Sequence, residues 1–139
     1  FPSACRGAHR AAASRSISAL RRDQEDDMSD TIDLVRSRCK PCEGGVSPMS
    51  SAEIAAMLGK LNGWTHRDGV ITKTYHFPNY WLTMAFVNAT AWISHREDHH
   101  PDLAVGYNTC RVDYSTHAIQ GISQNDFICA AKLDALVEL

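Results

Sequence analysis

The chain has 139 residues, 44% of them hydrophobic, and a formal net charge of −2. That is one domain's worth of ordinary globular composition; it offers no electrostatic footing for nucleic acid, and no apolar run approaches the roughly 18 residues a membrane span needs. Five cysteines, an odd number at irregular spacing, do not read as a secreted disulfide framework and point to an intracellular, cytoplasmic chain.

Residues 1–27 look foreign to the rest. They carry Arg6, Arg10, Arg15, Arg21 and Arg22 among Ala and Ser, with no acid before Asp23. This composition resembles a transit segment, which would send the protein to a mitochondrion or another organelle. The acidic run Asp23, Glu25, Asp26, Asp27 is atypical of such a signal, so upstream or non-native sequence ahead of Met28 is the competing reading. Disorder is expected in both cases. Residues 28–49 are expected as a loop segment before the domain proper, 50–139. The loop contains Cys39-Lys40-Pro41-Cys42 and Gly44-Gly45. A single C-x-x-C can be half a zinc site or a redox pair; with no second pair and a Pro/Gly setting, structural thiols are the expectation.

From Ser50 the pattern becomes regular. Ser50-Ser51-Ala52-Glu53 is a capping box, and Ile54, Met57, Leu58 and Leu61 then recur with helical period up to Asn62-Gly63. Trp64 to Arg67 and Val70 to Phe77 are short alternating runs joined by Asp68-Gly69, a strong hairpin signal. A helix follows from about Asn79 to Asp98, with Leu82, Ala85, Phe86, Ala89 and Ile93 as its apolar face. Trp81, Met84 and Trp92 widen that face beyond a normal stripe, which suggests a subunit interface in a dimer or tetramer.

His100 precedes Pro101 and is thereby biased out of the helical region. Leu103 to Val105, a Gly106-Tyr107-Asn108 turn and Cys110 to His117 then predict a second hairpin, and a last helix starts near Ser123 with Asp126 as its capping acid. Phe127, Ile128, Ala131 and Ala135 would face inward. The order α-β-β-α-β-β-α implies an α+β two-layer sandwich, a four-stranded antiparallel sheet with three helices on one face.

The chemistry-bearing residues gather in this second half. His95, His99, His100 and His117 are four of the seven histidines, and imidazole is the side chain that exchanges a proton near neutrality. Centring the turn on Asn108 sets His99 and His100 against Thr116 and His117. Alternation puts Cys110, Val112, Tyr114 and Thr116 on one face and Arg111, Asp113, Ser115 and His117 on the other. His66 and His76, on the first hairpin, read as structural. A zinc site using His95 and His99 one turn apart is the rival, but Arg96 stands where a metalloprotease helix has glutamate; no metal and no cofactor are expected.

The spacing His95-x3-His99-His100-Pro101-x5-Tyr107-x9-His117-x8-Asp126 resembles the signature of pterin-4a-carbinolamine dehydratases. Asn62-Gly63-Trp64, Ser115-Thr116-His117 and the Cys-x-Pro-Cys-x-Gly-Gly lead-in resemble the same family, the lead-in its bacterial-type members. The resemblance spans roughly residues 38–138. It implies dehydration of 4a-hydroxytetrahydrobiopterin to the quinonoid dihydropterin in the recycling of tetrahydrobiopterin, in support of an aromatic amino acid hydroxylase. It also implies His99, His100 and His117 as acid/base groups, with Asp98, Pro101, Ser115, Thr116, Trp64 and Asp126 around the pterin. The family's first position is usually glutamate; His95 departs from it and is left out of the catalytic set. An alternative carried by the same resemblance is a non-enzymatic dimerisation cofactor of a transcription factor, which would use the 79–98 helix.

Overall fold

The computed structural model describes residues 29–42 and 45–138; the 1–27 extension expected from the sequence lies outside them. Two hairpins build the frame. Strand β1 (Thr65–Arg67) pairs antiparallel with β2 (Val70–His76), and β3 (Asp102–Val105) pairs antiparallel with β4 (Thr109–Tyr114). The hairpins join along β2 and β4, from Ile71 against Tyr114 to His76 against Thr109, giving the sheet order β1-β2-β4-β3. The first turn holds both Asp68 and Gly69 at positive φ, 52° and 78°. That is the twist a two-residue hairpin needs, and Asp-Gly supplies it at low steric cost.

Helices cover one face of this sheet. The helix α2 (Ser51–Leu58) starts in the Ser50/Glu53 capping box, and α4 (Gln124–Val137) in a second box made by Ser123 and Asp126. Between them α3 (Tyr80–Glu97) is capped by the Asn79 side chain, which accepts from the Leu82 amide at 3.0 Å. It is stopped at Asp98, which adopts the left-handed conformation (φ 50°). Ile71 and Tyr75 from β2 meet Cys110, Val112 and Tyr114 from β4 in the core, under Ile54, Phe86, Phe127 and Leu133 of the three helices. Alternation along β4 is as expected: Cys110, Val112 and Tyr114 are fully buried and Arg111 is exposed. The α+β class and the four-stranded antiparallel sheet stand as read from the sequence.

Four details differ. Residues 29–36 are helical (α1) where a loop was expected. Its Leu34 packs on Ile128 and Ala131 of α4, and Lys132 Nζ donates to Val35 O at 2.9 Å, so tertiary contacts rather than local pattern hold it. The helix α2 stops at Leu58, one turn short of Asn62, with Gly59 as its C-cap. The second hairpin pairs Leu103 with Val112, one residue from the expected register, and its ladder ends at Asp102 and Asp113. Finally, α3 buries Thr83, Phe86, Thr90 and Glu97, whereas Leu82 of the expected apolar face is exposed. The two threonines enter the core because their hydroxyls donate to carbonyls one turn back, Thr83 to Asn79 O and Thr90 to Phe86 O, both at 2.9 Å.

Candidate active site

The end of α3, the end of β4 and the start of α4 meet at one end of the sheet. The left-handed Asp98 turns the chain sharply, so His99 leaves α3 and its ring drops between the two neighbouring elements. There it lies parallel to the Tyr114 ring, 5.8 Å between centroids and 11° between planes. Its Nε2 is 2.6 Å from Asp126 Oδ1. Asp126 is wholly buried, and its second oxygen accepts from Thr116 Oγ1 and from the Ser123 amide, each at 2.9 Å. As a carboxylate Asp126 can only accept, which makes Nε2 the protonated nitrogen of His99 and leaves Nδ1 for exchange. One residue thus caps α4 and fixes an imidazole.

The other two histidines are less constrained. His100 is exposed, with Nδ1 a long 3.4 Å from Pro101 O, and its ring centroid is 6.5 Å from that of His117. His117 opens a short 3-10 turn, His117–Ile119, which begins just after Thr116 bridges Gly121 and ends at a left-handed Gln120. His99, His100 and His117 all line one cavity of about 500 Å³, within the range of small-ligand sites. Asp98, Ser115 and Thr116 line it too.

The remaining sequence-predicted site residues fall elsewhere. Trp64 does not reach the cavity: its indole is buried in the core beside Tyr75 and Tyr114, and Nε1 donates to Asp134 Oδ2 at 3.0 Å. A buried indole N–H needs an acceptor, and that one holds it away from the site. Asp126 stands behind His99 rather than on the cavity wall, and Pro101 is half-buried outside the lining. His95 remains on the last turn of α3 beside Trp92, with ring centroids 6.2 Å apart. Since α3 ends at Glu97, His95 and His99 do not share the helix turn that the zinc alternative requires. Among the described residues no group of three His, Cys, Asp or Glu side chains is placed to hold a metal ion.

Sequence reasoning missed one side of the cavity altogether. Arg38, Cys39, Lys40, Pro41 and Cys42 line it, as does Asn125. Nearby Glu97 is buried yet accepts from the Cys39 amide at 2.9 Å and pairs with Lys132 at 3.2 Å and Arg38 at 3.5 Å. Burial pushes its carboxyl up, but those partners together outweigh it and hold the group below its ordinary value. The Cys-x-Pro-Cys spacing was the available signal for this segment, and it gave no hint of where the segment lies.

The sequence profile of the family described as pterin 4 alpha carbinolamine dehydratase matches residues 47–136. A Nitrosospira multiformis protein named, by inference, a pterin-4-alpha-carbinolamine dehydratase is 58% identical over 113 residues, 81% of this chain and 100% of that protein. A Dechloromonas aromatica protein named in the same way is 54% identical, over 81% of this chain and 100% of its own. Among solved structures, a transcriptional coactivator/pterin dehydratase from Brucella melitensis superposes with a TM-score of 0.63 at 27% identity. That match covers 65% of this chain and 98% of the Brucella chain.

Proposed function

Because this chain belongs to the pterin-4a-carbinolamine dehydratase family, we propose that its histidine cavity dehydrates 4a-hydroxytetrahydrobiopterin to the quinonoid dihydrobiopterin and water. The observation that carries the reading is the convergence of three imidazoles on one cavity, one of them locked by a buried carboxylate. The substrate is a carbinolamine. Its hydroxyl leaves as water only if a proton reaches the oxygen, while the ring nitrogen gives one up as the C=N bond forms, so the protons balance. His99, His100 and His117 supply the groups for both transfers, each positioned group contributing roughly 10²–10⁴-fold. Asp126 keeps His99 in one tautomer and one orientation. Asp98, Ser115 and Thr116 offer hydrogen bonds to the pterin, and Pro101 holds His100 extended at the rim. The reaction serves tetrahydrobiopterin recycling beside an aromatic amino acid hydroxylase, in the cytoplasm, and draws on no metal or other cofactor.

The exposed aromatic face of α3, where Trp81 is 73% and Trp92 62% accessible, fits a homo-oligomer interface. A Trp81→Lys/Trp92→Lys double variant is expected to sediment as a smaller species than the parent. The same face favours a second reading, a coactivator-like binding protein, a description that the Brucella relative's name includes. Stopped-flow dehydration of freshly generated 4a-hydroxytetrahydropterin decides between them. Acceleration that survives chelator and collapses at least a hundredfold in His100→Ala supports the dehydratase. No acceleration over the spontaneous reaction by the parent protein would sink it and leave the binding role.

A further inference from the structure

Residues 38–42 lie ahead of the stretch that the family profile matches, 47–136, yet they occupy one side of the cavity. They are fastened there by side chains from distant parts of the chain. Asn125, itself buried, accepts from the Lys40 amide at 3.0 Å and donates back to Lys40 O at 2.6 Å. One side-chain amide therefore satisfies both backbone groups of Lys40, as a neighbouring strand would. The same Nδ2 lies 3.2 Å from Cys42 Sγ. Glu97 takes the next amide, that of Cys39, and Cys39 Sγ rests 3.6 Å from Cys129 Sγ.

Both anchors sit beside residues of the site: Glu97 precedes Asp98 and His99, and Asn125 precedes Asp126. A polar side chain at the second position of a helix ordinarily faces water. Asn125, at the second position of α4, and Glu97, at the last position of α3, are both buried, and the desolvation this costs is offset by their bonds to the backbone of a segment without regular secondary structure.

We propose that residues 38–42 form a ligand-contacting wall of the cavity and that Asn125 and Glu97 are positioning residues that hold it. The proposal deepens the pterin reading and rests on it. A flat bicyclic ligand gains from a wall in its ground state and its transition state alike, so loosening the wall weakens binding and leaves the chemical step alone.

The test uses the full chain and 7,8-dihydrobiopterin, a stable dihydropterin with no 4a-hydroxyl to lose. Saturating ligand is expected to slow hydrogen exchange at the Cys39 and Lys40 amides at least fivefold. Asn125→Ala is expected to raise both Kd for dihydrobiopterin and KM for the carbinolamine about tenfold, with kcat within twofold. Asn125→Asp keeps an acceptor for the Lys40 amide and is expected to fall between. Unchanged exchange on a saturated protein overturns the wall. Unchanged Kd and KM in Asn125→Ala overturn the role of Asn125. If Asn125→Ala does not fold, the exchange comparison on the parent protein still decides the wall. Failure of the parent to bind dihydrobiopterin at all is a separate result, which removes the pterin reading and this proposal with it.

Discussion

Two aspartates on α4, about two turns apart, are both buried and both fully engaged, yet they stand at opposite ends of what a buried carboxylate can do. Asp134 takes Lys73 Nζ and Tyr75 Oη on one oxygen, each at 2.6 Å, and Trp64 Nε1 on the other at 3.0 Å. Burial and the bond to Asp134 push the Tyr75 phenol far above its ordinary value, so it keeps its proton near neutrality, as the indole does. Asp126 takes Thr116, the Ser123 amide and His99. One of its three donors is an imidazole that lines a cavity. The difference teaches that a buried acid marks a site only through its partner: with permanent donors it fastens the fold, and with an exchangeable one beside open space it can serve chemistry.

This contrast breaks most visibly at Asp134. Asp134→Ala leaves the buried Tyr75 phenol and Trp64 indole without their acceptor and the half-buried Lys73 ammonium with only Asn62 O, and each buried donor left unsatisfied costs about 1–3 kcal/mol. A urea melt is expected to show that loss, while dehydratase activity of the folded fraction, assayed well below the transition, stays within about threefold of the parent. Asp126→Asn should do the reverse. The amide still caps the helix, but it presents a donor or a neutral oxygen to His99 and no longer fixes the tautomer. The dehydration rate is expected to fall about 100-fold, roughly 2.7 kcal/mol of barrier, with a stability change of about 1 kcal/mol. Equal effects of the two substitutions on activity would erase the distinction.

The parts legible in the sequence are those whose cause is local. Asp68-Gly69 dictates its turn through backbone conformation, Ser50/Glu53 and Ser123/Asp126 satisfy helix amides within a few residues, and the 110–114 alternation is a property of one strand. The histidine spacing was legible as well, because a hairpin closes its own ends together. What was not legible depends on partners far along the chain. Thr83 looks polar until its hydroxyl is seen 3.0 Å from Tyr107 O, 24 residues on. The family resemblance places Trp64 at the pterin, and nothing near it in the sequence announces the bond that its indole makes to Asp134, 70 residues away. The 38–42 segment is anchored from 58 and 85 residues away. Nothing in Cys-Lys-Pro-Cys announces Glu97 or Asn125 as its partners.

Glu97 sharpens the comparison through pH. Its folded-state carboxyl is held below the ordinary value of 4.5, so the unfolded chain binds its proton first and the folded state is favoured while the group is ionised. The contribution is therefore complete above about pH 4.5 and is lost as pH falls through the lower, folded value. In Glu97→Gln, which cannot ionise, urea stability measured from pH 6 down to pH 3 is expected to decline less steeply than in the parent. Parallel declines would show that Glu97 binds its proton equally in both states.

The smallest expected effect is at Tyr114, which separates stacking from hydrogen bonding behind His99. Its hydroxyl is buried with no hydrogen-bond partner, and the polar group it faces, the Cys129 thiol, is a weak acceptor at best. Burial, with the Cys129 and Cys39 thiols beside it, pushes the phenol well above its ordinary value, so it carries no charge to the site. Tyr114→Phe removes only that unsatisfied oxygen and keeps the ring that lies against the His99 imidazole. Stability should change by less than about 1 kcal/mol, in either direction, and the pH profile of dehydration should keep the parent's shape. Tyr114→Leu removes the ring, freeing one face of His99 while Asp126 still holds its edge, and a several-fold fall in kcat is expected. If Phe and Leu behave alike, the stack contributes nothing to holding His99, and the Asp126 bond alone positions the imidazole.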